Sequence, residues 1–414
     1  MEGAVAAGSA LGYRNCRLLQ QRSLGCGMMS PHSAFKRDRF TGLAYLLVAF
    51  FAYLQAAWGP LMPFLRDELA LSYTLAGLHF SAFALGMVLA GLSSRQVHHH
   101  WGSRWAIWGG AAGMVIAVLL LMVSHTVVLT LASALLMGLL GSVLQNTLQA
   151  NIAERHDHYR TTALTEMSAV GSASAGLVPL VIGGFTRWGW GWRPALLMAA
   201  IALGLIFGQY HRVRLPAVPD RRPAQPLPLP FWGYWMTLFF GVAIGYCLTY
   251  WGADFLRTVV GLTRSDAASA MSLFLFAGMV GRGAGSQLSK KIPDECLVVG
   301  AIAVATVGFL LLWLAPWPGL NLTGLMITGV GAANFYPLLL SAAISTTQQP
   351  NHATARLSIG AGLAILVAPL LLGWLADQMA LGRAFGLVLG LLVAITGWLL
   401  WAHHQKQKTL AGVS

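Results

Sequence analysis

Three kinds of residue in this chain could do chemistry where water is scarce. The amides of Gln55, Gln145, Asn146, Gln149 and Asn334 offer donors and acceptors together, and Tyr53, Trp58, Tyr246, Tyr250, Trp251 and Tyr336 offer aromatic faces with a polar handle. His79, Asp254 and Glu166 can take up or release a proton. All of these residues sit inside long apolar stretches. There a polar group is costly unless it bonds another group or faces a wet cavity.

Other chemistries lack their residues. A Walker A loop needs Gly-Lys-Ser/Thr to cradle phosphates, and the chain has no Gly-Lys dipeptide, which excludes ATP hydrolysis by that device. No GxSxG or HExxH is present, no nucleophile or acid–base constellation appears, and an enzyme is not expected. His98-His99-His100 and the pair His156 and His158 invite a metal reading, but adjacent side chains in a short loop diverge and no cysteine or spaced carboxylate completes a shell. Cys16, Cys26, Cys247 and Cys296 form no CxxC or periodic pattern. No metal, cofactor or disulfide framework is expected.

The elements that position these residues follow from composition. With 57% hydrophobic against 9% charged residues, 414 residues fit no soluble class, and the chain is a polytopic membrane protein. Apolar stretches of about 17 to 27 residues recur, each long enough to cross roughly 30 Å of hydrocarbon. The expected spans are Gly42 to Phe64, Leu75 to Leu92, Trp105 to Val123, Val127 to Ala153, Ala163 to Phe185 and Pro194 to Tyr210. Six more follow: Phe231 to Phe255, Ala267 to Leu288, Cys296 to Ala315, Leu320 to Ile344, Ala355 to Ala376 and Phe385 to Ala402. Between the sixes, His211 to Pro230 is basic and proline-rich, an extended cytosolic linker. The stretch to Thr41 has scattered arginines and no apolar h-region, and reads as a disordered cytosolic leader with Met28 and Met29 as alternative starts. Residues 403–414 form a cytosolic tail.

The net charge of +13 is not a nucleic-acid face. Sorted by alternate loops, 20 of the 26 Lys and Arg fall with the N-terminus and 6 on the opposite side. By the positive-inside rule both termini are cytosolic, and a cytoplasmic-type inner or plasma membrane is expected, with lipids as neighbours.

The two sixes also repeat in sequence. Gly86-Met87-Val88, Gly91 and Ser94 recur as Gly278-Met279-Val280, Gly283 and Ser286, offset by 192. Phe64-Leu65-Arg66 recurs as Phe255-Leu256-Arg257 at 191, and Ser168, Pro179, Gly183 and Arg193 recur as Ser358, Pro369, Gly373 and Arg383 at 190. A nearly fixed offset over several spans indicates duplication.

Two six-helix halves in the same orientation resemble the parallel repeat of major facilitator superfamily (MFS) transporters. The segment RQVHHHWGSR from Arg95 to Arg104 lies between spans 2 and 3, where that superfamily has GxLaDRxGRK. Gly102 and Arg104 match, while His99 stands at the acidic position, His100 at the first arginine and Arg95 at the first glycine. The second copy, SQLSKKIP, keeps Leu288 with Lys290 and Lys291. The resemblance covers about Gly42 to Ala402.

It implies an all-α MFS fold of two pseudo-symmetric bundles, with spans 1, 4, 7 and 10 lining a central cavity. Tyr53, Gln55, Trp58, Gln145, Asn146, Gln149, Tyr246, Tyr250, Trp251, Asn334 and Tyr336 lie on those spans. Interhelical glue is the plain reading of any one of them, and a substrate surface is the reading of the set. With no Lys or Arg among them, the expected cargo is a small neutral, zwitterionic or amphiphilic organic solute. Its carrier would be a monomeric secondary active transporter working by alternating access and coupled to protons through Asp254, His79 or Glu166. An uncoupled facilitator and a transporter-like sensor are the rivals.

Gating is expected at the signature loops (Arg95, His99, Arg104, Lys290, Lys291), with Arg95 or Arg104 approaching Glu154 or Asp157, and at Arg356. A latch between Glu166 and Arg282 is also expected, because spans 5 and 8 meet across the halves in that superfamily and each charge is costly alone.

Overall fold

The computed structural model describes residues 37–156, 160–213, 227–289, 291–292, 294–347 and 350–411. A backbone in hydrocarbon must satisfy its own hydrogen bonds, and every regular element among these residues is helical. The spans are α1 (Arg39–Leu69), α2 (Tyr73–Ser93), α3 (Gly102–Val123), α4 (Val127–Arg155), α5 (Ala163–Arg187), α6 (Arg193–Tyr210), α7 (Leu229–Thr258), α8 (Arg264–Leu288), α9 (Cys296–Leu314), α10 (Pro318–Ile344), α11 (Arg356–Met379) and α12 (Leu381–Ala402). The even count of spans among the described residues returns the start of α1 and the end of α12 to one face. We call this the terminal face and the opposite one the far face. The residues from Arg39 onward form one compact unit.

Among the differences from the sequence expectation are an α7 that begins at Leu229, inside the expected linker, a last helix that continues to Ala411 into the expected tail, and three further local features. α1 begins at Arg39 rather than Gly42, because Phe40 and Thr41 are already buried against the bundle. The segment expected as a loop between α2 and α3 is helical through Trp101 and broken only at Gly102, whose φ of 69° suits a residue without Cβ. α10 is interrupted at Ala333 and Asn334, between helical pieces Pro318–Ala332 and Phe335–Ile344.

Duplication is visible in the packing. A Cβ on Gly138 of α4 would fall 1.9 Å from the Phe83 carbonyl of α2, and one on Gly329 of α10 would fall 2.5 Å from the Phe274 carbonyl of α8. The two contacts are 191 residues apart. The halves meet along α1–α7, α2–α11 and α5–α8. The last two boundaries carry equivalent bonds: Ser81 Oγ donates to the Leu366 carbonyl at 2.6 Å, and Ser272 Oγ to the Gly176 carbonyl at 2.8 Å.

Candidate functional site

The far ends of the helices are joined across the halves by charge. Arg66 Nη1 of α1 meets Asp254 Oδ1 of α7 at 2.9 Å; the carboxylate is fully buried, and the arginine lies 3.5 Å over the Tyr73 ring. Arg257 of α7 returns the contact, pairing with Asp67 of α1 at 2.9 Å, and Arg264 holds the same carboxylate. Arg187 of α5 pairs with Asp266 of α8. Asp377 of α11 accepts the Tyr73 and Thr74 backbone N–H groups at 2.8 and 2.7 Å, capping α2 from the other half. Close backbone approach reinforces the joint: a Cβ on Gly183 would fall 2.7 Å from the Ser265 carbonyl, and one on Gly373 2.5 Å from the Tyr73 carbonyl.

Behind this seal lies an aromatic group. Phe80 of α2 stacks on Tyr250 of α7 at 4.1 Å and meets Trp251 edge-on at 5.3 Å; Tyr246 packs on Tyr250 at 5.4 Å. α1 and α7 touch here at backbone distance, since a Cβ on Gly59 would overlap the Thr249 carbonyl at 2.0 Å. Gln55 Nε2 donates to the Tyr246 hydroxyl across the halves at 3.3 Å. The Tyr246 hydroxyl is within electrostatic range of Tyr336 and Arg282, and Tyr336 bonds Ser358 of α11. Trp58 Nε1, the Tyr250 hydroxyl and Gln145 Oε1 are buried without a partner among the described residues.

The eleven aromatic and amide candidates divide accordingly. Gln55, Tyr246, Tyr250 and Trp251 come together at the α1–α7 boundary, and Trp58 is buried beside His79, with ring centroids 6.3 Å apart. Tyr53 instead donates to the Ala195 carbonyl of α6 at 3.0 Å, inside its own half. Asn334 is spent on packing, donating to the carbonyls of Gly281 in α8 and Val330 at the α10 interruption. Asn146 and Gln149 lie exposed on α4.

Of the proton candidates, Asp254 straddles the halves. His79 has both ring nitrogens engaged within the first half, Nδ1 with the Leu75 carbonyl and Nε2 with Thr130 Oγ1, each at 2.8 Å. Glu166 accepts from the Tyr45 hydroxyl at 3.0 Å.

The Glu166–Arg282 ion pair does not form in this arrangement: Arg282 bonds Ser172 Oγ instead. Helical side chains lean toward their helix's N-terminus. α5 starts at the terminal face and α8 at the far face, so Glu166 leans outward while Arg282 leans into the bundle, to the level of Ser172. The consequence reaches further, because the Arg282 cation now acts electrostatically on the Tyr246 hydroxyl, where the sequence reading had no cation.

At the signature segment Arg104 donates to the His211 carbonyl at 2.9 Å rather than pairing with Glu154. The side chains of Arg95, His99, Asp157 and Lys290 lie outside the described residues. Lys291 is exposed, and the Arg356 carbonyl accepts from Trp235 Nε1 at 2.8 Å.

Arg66, Asp67, Arg187, Arg257, Arg264, Asp266, Asp377 and Ser172 were missed as site residues. Arg66 and Arg257 were signalled by the Phe-Leu-Arg repeat; the rest carried no sequence signal of a partner in the other half.

The profile of the Major Facilitator Superfamily matches residues 44–355. An uncharacterized MFS-type transporter of Yersinia pestis is 28% identical over 355 residues, 82% of this chain and 90% of its own length. The MFS-type transporter YceJ of Bacillus subtilis (strain 168) is 24% identical, covering 72% of this chain and 79% of its own. A bacterial homologue of the human lysosomal transporter Spinster, inward-facing and occupied, superposes with a TM-score of 0.75 at 15% identity, over 90% of this chain and 98% of that one. The nucleoside transporter NupG superposes at 0.68 with 13% identity, over 87% and 99%. At these identities the superpositions speak for the fold alone.

Proposed function

The chain belongs to the Major Facilitator Superfamily and is a membrane transport protein of that fold, and on this basis we propose that it is a monomeric secondary active transporter working by alternating access. Its cargo is a small neutral, zwitterionic or amphiphilic organic solute, its coupling ion is the proton, and it sits in a cytoplasmic-type membrane with both termini in the cytosol. The observation that carries the reading is the far-face seal. Two halves that rock must part along contacts that break and re-form, and Arg66–Asp254, Asp67–Arg257 and Asp377–Thr74 are polar contacts of that kind, unlike a fused apolar core.

Asp254 is the coupling carboxylate in this reading. It is fully buried, one oxygen holds Arg66, and Oδ2 has no partner among the described residues. A proton taken up there removes the charge that holds Arg66 and loosens the α1–α7 joint; returning to the closed joint requires releasing it. A solute gradient can then be exchanged for a proton gradient.

Gly245→Cys is the reporter, since a side chain at that position meets nothing within 4 Å and Tyr246 is its neighbour. In a background free of the native cysteines, a membrane-impermeant maleimide is expected to label it from either side of proteoliposomes. Labelling confined to one side under every ligand condition tested overturns alternating access. Solute entry without a matching pH change in the vesicle lumen leaves an uncoupled facilitator.

A further inference from the structure

We infer that the inter-half site recognises an acidic group, so that the transported solute is a small organic acid held by Arg282. This rests on the carrier reading and narrows its substrate class.

Arg282 reaches a point shared by both halves. Its guanidinium bonds Ser172 Oγ of α5 and is within electrostatic range of the Tyr246 hydroxyl of α7, which receives the Gln55 amide of α1 and feels Tyr336 of α10. Arg282 thus bonds α5 directly and acts on a tyrosine of α7 that is itself bonded to α1. No carboxylate accompanies the arginine among the described residues. Its one hydrogen bond there goes to a hydroxyl, and the acid six residues along α5, Glu166, leans toward the terminal face and holds Tyr45.

Arg282 is exposed in this arrangement; a guanidinium among membrane-spanning helices is costly where it lacks both water and a counter-charge, and the lean of α8 side chains denies this one the route to the terminal-face interface that a long cation ordinarily takes. A ligand that brings the missing negative charge would relieve that cost and bind here in preference to a neutral one.

The surrounding groups define which anion. The Ser172 hydroxyl bonds the cation, and the Tyr246 hydroxyl with its Gln55 partner is the neutral polar pair it acts on. One guanidinium fits one carboxylate by a two-pronged contact, whereas a phosphate dianion calls for a second cation. The Tyr246 and Tyr250 rings, packed on each other at 5.4 Å, offer the rest of the solute an apolar surface. The ligand class is a monocarboxylate with a compact apolar or aromatic body.

The test is thermal unfolding of the purified full-length protein against paired acids and their primary amides: benzoate and benzamide, indoleacetate and indoleacetamide, octanoate and octanamide, with inorganic phosphate beside them. Acids of at least one pair are expected to raise the apparent melting temperature saturably, with the amide and phosphate giving at least tenfold weaker responses. Arg282→Gln is expected to remove the preference and Arg282→Lys to retain part of it. Tyr246→Phe, which keeps the ring and its packing, is expected to weaken acid binding severalfold.

Acids and amides responding alike, phosphate matching the acids, no acid responding, or an acid preference that survives Arg282→Gln would each overturn the proposal. Proteoliposome flux is measured separately. Acid-selective binding without flux would leave the site standing and remove the carrier reading, and flux of neutral solutes without acid-selective binding would do the reverse.

Discussion

Arg187 and Asp377 occupy equivalent positions 190 residues apart, at the far ends of α5 and α11, and hold the opposing helix start with opposite charges. Asp377 reaches over and caps α2 directly; across the other boundary the carboxylate is α8's own Asp266, and Arg187 tethers it. Both helix starts thereby gain an anion at their positive end.

The two joints should differ in strength. Asp377→Ala exposes unpaired backbone donors at the start of α2 and should weaken far-face closure by about 1 to 2 kcal/mol. Arg187→Gln breaks a pair between largely exposed side chains and should cost about 0 to 1 kcal/mol. Far-side maleimide labelling of Gly245→Cys should therefore rise more in Asp377→Ala; the opposite order would refute the capping account.

Arg66→Gln leaves Asp254 buried and uncompensated and should destabilise the far-face-closed protein by about 3 kcal/mol. Adding Asp254→Asn should recover much of this loss, since the second substitution removes the stranded charge. Thermal unfolding of the two single variants and the double variant measures the coupling; strictly additive losses would show that the pair is not a unit.

Gly373→Ala places a methyl 2.5 Å from the Tyr73 carbonyl, backbone that cannot turn aside, so α11 must move off α2. A cost of about 1 to 3 kcal/mol and increased far-side labelling at position 245 are expected. Gly184→Ala meets nothing within 4 Å and should leave labelling unchanged. Equal effects of the two substitutions would remove close approach as the cause.

Glu166→Gln and Arg282→Gln should act independently, because Glu166 bonds Tyr45 and Arg282 bonds Ser172. Their combined effect on terminal-side labelling should equal the sum of the single effects within about 0.5 kcal/mol. A coupling above about 1 kcal/mol would mean that the two charges meet in another conformation of the cycle.

The number of spans, their order and the duplication follow from the residues alone. Hydrocarbon thickness sets a minimum apolar length for any crossing, and a fixed offset survives wherever two backbones must pack alike, as at Gly138 and Gly329. Depth follows as well, since a rise of 1.5 Å per residue places Arg282 and Glu166 along the bundle by counting from the helix ends. Azimuth and partner do not follow. Tyr53 and Gln55 are two residues apart on α1, about 200° around the helix, and one turns to α6 while the other crosses to α7. Arg66 gains its meaning from Asp254, 188 residues away in the other half. Such pairings depend on which face of each helix the other half covers, and that is decided only when two complete six-helix bundles pack together. Helix polarity then tilts the side chains, which turned Glu166 and Arg282 apart and left Arg282 bonded to Ser172 across the halves.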